Sequence, residues 1–190
     1  VSGICKGARE ASLLLGNSSG AQRNKILTAM AKKIRENSEA IIKANELDLA
    51  FAKKNGIKDA MLDRLMLNEA RINAIADAIL YIVTLPDPIG TGEVFTRPNG
   101  LNVQKIRVPL GVVAMIYVTP DAASLCIKSG NAVILRGGKE AINSNKCIVS
   151  LIREAISECG FDPNAVCLIE DTTRESSTAL MQMRGGVDVL

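Results

Sequence analysis

A chain of 190 residues suits one domain, or one and a fraction. It is 47% hydrophobic but only 3% aromatic, with no Trp, so its core must be aliphatic; a net charge of +3, with the basic residues scattered, excludes a chain-wide nucleic-acid footprint. The absence of His removes the commonest general base, and five cysteines with no Cys-x-x-Cys pair exclude a zinc site of the usual spacing.

Residues 1–85 read as helices. Residues 8–15 form a short apolar-rich helix that stops near Gly16-Asn17. Ser19 and Gln22 have the spacing of a capping box, and the helix they open carries Ile26, Leu27, Met30 and Ile34 on one face. After an interruption at Asn37-Ser38, a further helix uses Ile41, Ile42, Asn45 and Leu49 and ends at Asn55-Gly56. Met61, Leu62 and Leu65 mark a short helix. Asn68 caps the next, whose face is Ile72, Ile75, Ala76, Ile79 and Leu80. The charges of residues 23–58 read as the solvated sides of these helices.

Residues 86–108 read as an extended hairpin. Pro86 and Pro88 break the helical pattern, and Pro98-Asn99-Gly100 supplies a turn between two extended runs. Lys105 and Arg107 read as a solvated strand face.

Residues 109–190 change character. Residues 112–117 are an apolar run of strand length. Asp121 is placed to cap a helix through Lys128, Gly130-Asn131 signals a turn, and residues 132–135 are a second apolar run. Arg136-Gly137-Gly138-Lys139 follows, then a long helix over residues 140–159 that turns Ile148, Ile152, Ala155, Ile156 and Cys159 inward. Residues 166–169 form another strand. Thr172 and Glu175 suggest a second capping box, opening a helix to about Met183, and residues 187–190 begin one more strand. Strand, helix, strand, turn, helix is the order of a parallel α/β sheet, in which ligands sit at the carboxyl ends of strands. A final strand without its following turn suggests a truncated chain.

Arg136-Gly137-Gly138-Lys139 falls at such an end. Glycines allow close backbone approach, and a helix starting near Lys139 would offer unpaired N–H groups to an anion between two cations. Spacing alone leaves two readings open, an anion cradle or a plain strand-to-helix turn. It is neither a Walker A motif nor Gly-x-Gly-x-x-Gly. Cys126, within an apolar helix, reads as a buried structural thiol, and no cysteine stands in a catalytic context. The odd thiol count, with no secretory signal, points to reduced cysteines and a cytoplasmic location. No apolar run approaches about 18 residues, so no spanning helix is expected.

Val108-Pro-Leu-Gly-Val and Lys128-Ser-Gly-Asn-Ala-Val-Ile-Leu-Arg-Gly-Gly-Lys-Glu closely resemble the glutamate-5-semialdehyde dehydrogenases (γ-glutamyl phosphate reductases) of the aldehyde dehydrogenase superfamily. The resemblance extends to Lys43-Ala-Asn-Glu-Leu-Asp, Ala60-Met-Leu-Asp-Arg-Leu and Thr96-Arg-Pro-Asn-Gly-Leu, and so covers nearly the whole chain. It implies an α/β, aldehyde-dehydrogenase-like fold, with N-terminal helices packed on part of a Rossmann-like parallel sheet. The implied activity is reduction of L-glutamate 5-phosphate to the 5-semialdehyde with release of phosphate, in proline biosynthesis, by a homo-oligomer when full length.

The resemblance also implies that Arg136, Gly137, Gly138 and Lys139 hold the adenosine ribose of a dinucleotide. Lys139 stands where NAD-preferring relatives often carry a glutamate, which favours NADPH. The family's catalytic cysteine belongs to a later domain, so no catalytic residue is assigned to this chain. Two departures stand out. Tyr117 runs straight into Val118, where the family carries Glu-Ser-Arg-Pro-Asn with an oxyanion-stabilising asparagine, and the family continues beyond Leu190. Three alternatives accompany the reductase: an NAD-dependent aldehyde dehydrogenase, the reductase half of a bifunctional synthase, and a non-catalytic cofactor-binding or interaction fragment.

Overall fold

The computed structural model describes residues 1–190. Five helices come first: α1 (Ser2–Gly16), α2 (Gly20–Glu36), α3 (Ser38–Lys54), α4 (Asp59–Leu65) and α5 (Glu69–Thr84). An antiparallel hairpin, β1 (Gly92–Thr96) and β2 (Asn102–Ile106), follows. The rest alternates: β3 (Val112–Met115), α6 (Pro120–Lys128), β4 (Ala132–Arg136), α7 (Ile142–Glu158), β5 (Val166–Ile169) and α8 (Arg174–Met181). The strands β3, β4 and β5 lie side by side in that order, all parallel. No helix is long and apolar enough to cross a membrane.

The short apolar runs become central strands because both faces of the sheet are covered, so no polar alternation is needed. Val113, Val133, Leu135 and Val166 pack with the apolar stripes of α2, α5, α6 and α7. Val112, Ala114, Ala132, Ile134, Cys167 and Ile169 pack on the other side with Cys5 and Ala8 of α1 and Leu180 of α8. Gly130, at φ +73°, makes the turn into β4 in a conformation that favours glycine; a Cβ there would lie 2.8 Å from Ile89 Cδ1.

The Ser19–Gln22 capping box and the Asn68 cap form as expected. Several boundaries differ. The helix expected over residues 8–15 begins at Ser2, because Cys5 and Ala8 are already buried on its inner face. Thr119, and not Asp121, is the N-cap of α6; Pro120 takes the first helical position, where its missing N–H costs nothing. Thr173, and not Thr172, caps α8, accepting from Ser176 N at 3.4 Å, so no box with Glu175 forms, and the helix ends at Met181. Residues 187–190 make two isolated parallel bridges, Val113 to Val189 and Arg184 to Val187, in place of a strand.

The charges of residues 23–58 are not all solvated. Arg23 is 1% exposed. Its Nη2 donates to both Asp87 oxygens, at 2.9 and 2.7 Å, and its Nε to the Lys128 carbonyl at 3.1 Å. Buried Lys128 donates in turn to Asn24 Oδ1 at 2.8 Å and the Val83 carbonyl at 3.0 Å. This network ties α2 to the exit of α5 and the end of α6. Asp48, the second exception, bears on the site.

Candidate functional site

The central strand β4 is buried from Ala132 to Leu135 and reaches its carboxyl end at half-buried Arg136. The turn Gly137-Gly138 follows. The neighbouring strand β5 ends at Ile169, and residues 170–173 lead into α8. Because the two strands are parallel and adjacent, their exit loops share one side of the sheet. Arg136 fastens them together: its Nη2 donates to the carbonyls of Thr172 at 2.6 Å and Thr173 at 2.7 Å. The expected free cation is therefore half committed to holding the two exit loops together. Its Nε is buried and has no acceptor.

Lys139 is exposed and takes no part in the ion pairs of the chain, which leaves its ammonium available. Two carboxylates temper the positive charge. Glu140 folds over Gly138, and Asp171 sits at the exit of β5. Hydrogen bonds from Thr173 hold the Asp171 carboxyl below its usual range, and the nearby Arg136 charge acts in the same direction.

The two glycines differ in role. Neither has a positive φ. Gly137 is buried because a Cβ there would lie 2.5 Å from Asn145 Nδ2 and 3.0 Å from Val118 Cγ2. Gly138, at φ −71°, would meet only the flexible end of Glu140. Close packing therefore requires glycine at the first position alone.

The long helix expected from residue 140 starts later. Lys139–Ala141 is a short 3-10 turn, and α7 begins at Ile142. Its first N–H groups are not free. Asp48 of α3, 1% exposed, accepts from Asn143 N at 3.0 Å and Ser144 N at 2.8 Å, and also from the Asn143 and Ser144 side chains. A carboxylate already complements this helix end, so the N–H groups of Asn143 and Ser144 are not open to an anion. The side chains of Arg136 and Lys139 carry the positive charge available to an anion at this turn. A cleft of about 410 Å³ abuts the turn, lined by Ile57, Lys58, Met61, Leu65 and Glu140.

The residues fit a ribose phosphate in two respects. A buried guanidinium N–H lacks an acceptor, and an unpaired ammonium stands at the rim. They do not fit a pyrophosphate on the start of α7, because Asp48 occupies it.

No thiol is activated. Burial pushes Cys126 up to about 11 and raises Cys5, Cys147, Cys159 and Cys167 as well; at Cys167 the Arg153 charge opposes burial without reversing it. The connection from β3 to α6 is continuous, with Ile116 and Tyr117 exposed and Val118 against Gly137. Sequence reasoning missed Asp48, Asn145 and the Thr172 and Thr173 carbonyls. The available signal was Asp48 one turn after Asn45 on the inward face of its helix.

The chain matches the aldehyde dehydrogenase family over residues 1–187. It is 49% identical over 197 aligned positions to a γ-glutamyl phosphate reductase of Clostridium botulinum, covering 98% of this chain and 47% of that one. The crystal structure of the γ-glutamyl phosphate reductase from Thermotoga maritima superposes with a TM-score of 0.96 at 36% identity, across 98% of this chain and 47% of that one. The corresponding structure from Saccharomyces cerevisiae gives a TM-score of 0.89 at 31% identity, across 98% and 49%. The chain thus spans about half the length of the curated relatives it matches.

Proposed function

The chain belongs to the aldehyde dehydrogenase family, and on that premise we propose that it is the N-terminal part of an NADPH-dependent γ-glutamyl phosphate reductase, acting in proline biosynthesis. In this reading L-glutamate 5-phosphate, NADPH and a proton give L-glutamate 5-semialdehyde, NADP and phosphate. The observation that supports the cofactor assignment is the pairing of Arg136, fastened to the exit of β5, with exposed and unpaired Lys139 at the carboxyl end of β4.

NADPH supplies the hydride in this reaction. Lys139 and Arg136 bind and orient the adenosine ribose and its 2′-phosphate, Gly137 lets the backbone pack tightly beneath it, and Gly138 completes the turn. The acyl phosphate requires a nucleophile to displace phosphate. Burial raises all five thiols of this chain, which supports a nucleophile supplied from elsewhere in the full-length polypeptide. Residues 116–119 are Ile, Tyr, Val and Thr, so no side-chain amide for an oxyanion comes from the exit of β3.

Residues 1–85 serve as the helical frame, 86–108 as a projecting arm and 109–190 as the nucleotide-binding segment. The arm exposes Val94, Phe95, Leu101 and Ile106, which supports a homo-oligomer. Five unbridged cysteines support a cytoplasmic location.

The test is made on the full-length protein in the reverse direction. Glutamate 5-semialdehyde should be oxidised only when NADP and inorganic phosphate are both present. Oxidation with NAD in the absence of phosphate would instead assign a hydrolytic aldehyde dehydrogenase.

A further inference from the structure

We propose that Asp48, on α3 and outside the nucleotide turn, is the positioning residue that fixes this turn for dinucleotide binding; the inference rests on the cofactor reading above. The turn from Gly137 to Ala141 joins a central strand to α7 without a local anchor at its far end. Ala141, the N-cap residue of α7, has no side-chain oxygen to cap with. The cap comes instead from a distant segment. One Asp48 oxygen accepts from Asn143 N at 3.0 Å and Asn143 Nδ2 at 2.8 Å; the other accepts from Ser144 N at 2.8 Å and from the Ser144 hydroxyl. Four donors on two successive residues fix the start of α7 in position and rotation.

The same face of α3 holds the Asp48 clamp in place. Asn45, one turn earlier and 2% exposed, donates to the Leu65 carbonyl at 2.8 Å and to Ser144 Oγ at 3.3 Å, and accepts from Leu67 N at 2.8 Å. At the other end of the turn, Arg136 is anchored on the Thr172 and Thr173 carbonyls. The intervening Lys139 and Glu140 are then held at both ends while their side chains stay available. Gly137 packs against Asn145, one position beyond the Asp48 clamp, so a shift of α7 moves the floor of the turn directly. A carboxylate is suited to this task because it accepts from four donors at once, which neither serine nor asparagine can do. It also keeps anions off the start of α7.

The experiment uses the full-length protein and its Asp48→Ala and Asp48→Asn variants, with Ile79→Ala in the same core as a destabilised control. Amide exchange of residues 137–145 is followed without ligand, and NADPH and NADH dissociation constants are measured by the cofactors' own fluorescence. Exchange in that segment should quicken in the Asp48 variants and not in Ile79→Ala. Both dissociation constants should rise at least about tenfold, with their ratio unchanged, because the turn is misplaced and its charges are intact. Asp48→Asn keeps the shape of the side chain and carries the test if Asp48→Ala fails to fold. Unchanged affinities in folded Asp48 variants, with NADPH still protecting residues 136–140 in the wild type, would overturn the inference alone. Absence of that protection in the wild type would overturn the cofactor reading and this inference with it.

Discussion

Lys139→Glu reverses an unpaired positive charge at the turn, and its effect on cofactor choice can be sized from the structure. The ammonium is exposed, so an ion pair with a phosphate is screened and contributes at most about 1 kcal/mol. A glutamate removes that attraction and sets repulsion of similar size against a group carrying nearly two negative charges. The change is then about 2 kcal/mol, or roughly thirtyfold in the NADPH dissociation constant. Arg136 makes the same contacts in both forms and so does not offset the change, and Glu140 and Asp171 stand nearby as further negative charges. NADH lacks the 2′-phosphate and should bind within about twofold of wild type. The assay is the ratio of the two dissociation constants in the full-length protein, at low and high salt, because a screened contact weakens with ionic strength. An unchanged ratio would place the 2′-phosphate away from Lys139. Equal loss of both cofactors would show that the residue shapes the turn and does not discriminate.

Gly137→Ala should lower stability by about 1–3 kcal/mol in denaturant titration, through overlap with Asn145 and Val118, whereas Gly138→Ala should be neutral within about 0.5 kcal/mol; the opposite ranking would refute the packing argument. Cys126→Ala should cost about 1–2 kcal/mol and leave turnover of the folded enzyme intact, and loss of turnover at full stability would make Cys126 catalytic. Its thiol pKa is raised on folding from 9.0 to about 11, so the protonated form is favoured by the fold. That contribution is complete below pH 9 and fades as pH rises towards 11, and Cys126→Ala should flatten this part of the stability–pH curve. Arg9 donates to Asp188 at 2.6 Å and depresses its carboxyl, which also accepts from Val112 N at 2.7 Å. The stability it gives is present above the usual carboxylate range and is lost as pH falls through the lowered folded value. Arg9→Ala should therefore reduce stability at pH 7 and not at pH 2.

Much of the fold was legible because it follows from local chemistry. Ser19 and Gln22 announce a helix start by spacing alone, and Ile72, Ala76 and Ile79 recur on one helical face and are all buried. The buried strands were recognisable as short apolar runs between turn signals. The site was legible only in part. The sequence places Arg136 and Lys139 at a strand end, but it cannot show that the Arg136 guanidinium would be drawn to carbonyls 36 and 37 residues away. Nor can it show that the start of α7 would be capped by Asp48, 95 residues earlier in the chain. Charged residues on an amphipathic helix read as solvated by default. Arg23 and Asp48 break that rule because partners from distant segments, joined at Arg23 by nearby Ser18, satisfy their buried hydrogen-bonding groups. The late start of α7 has the same origin: residues 139–141 suit a helix locally, but the distant cap fixes where its first hydrogen-bonded turn begins.

The most direct test of the cofactor assignment is a crystal structure of the full-length protein with NADP. The adenosine ribose should lie beside the exits of β4 and β5, with a 2′-phosphate oxygen within about 2.7–3.2 Å of Lys139 Nζ. A nucleotide phosphate seated on the first turn of α7 with Asp48 displaced, or a ribose bound away from Arg136 and Lys139, would contradict it.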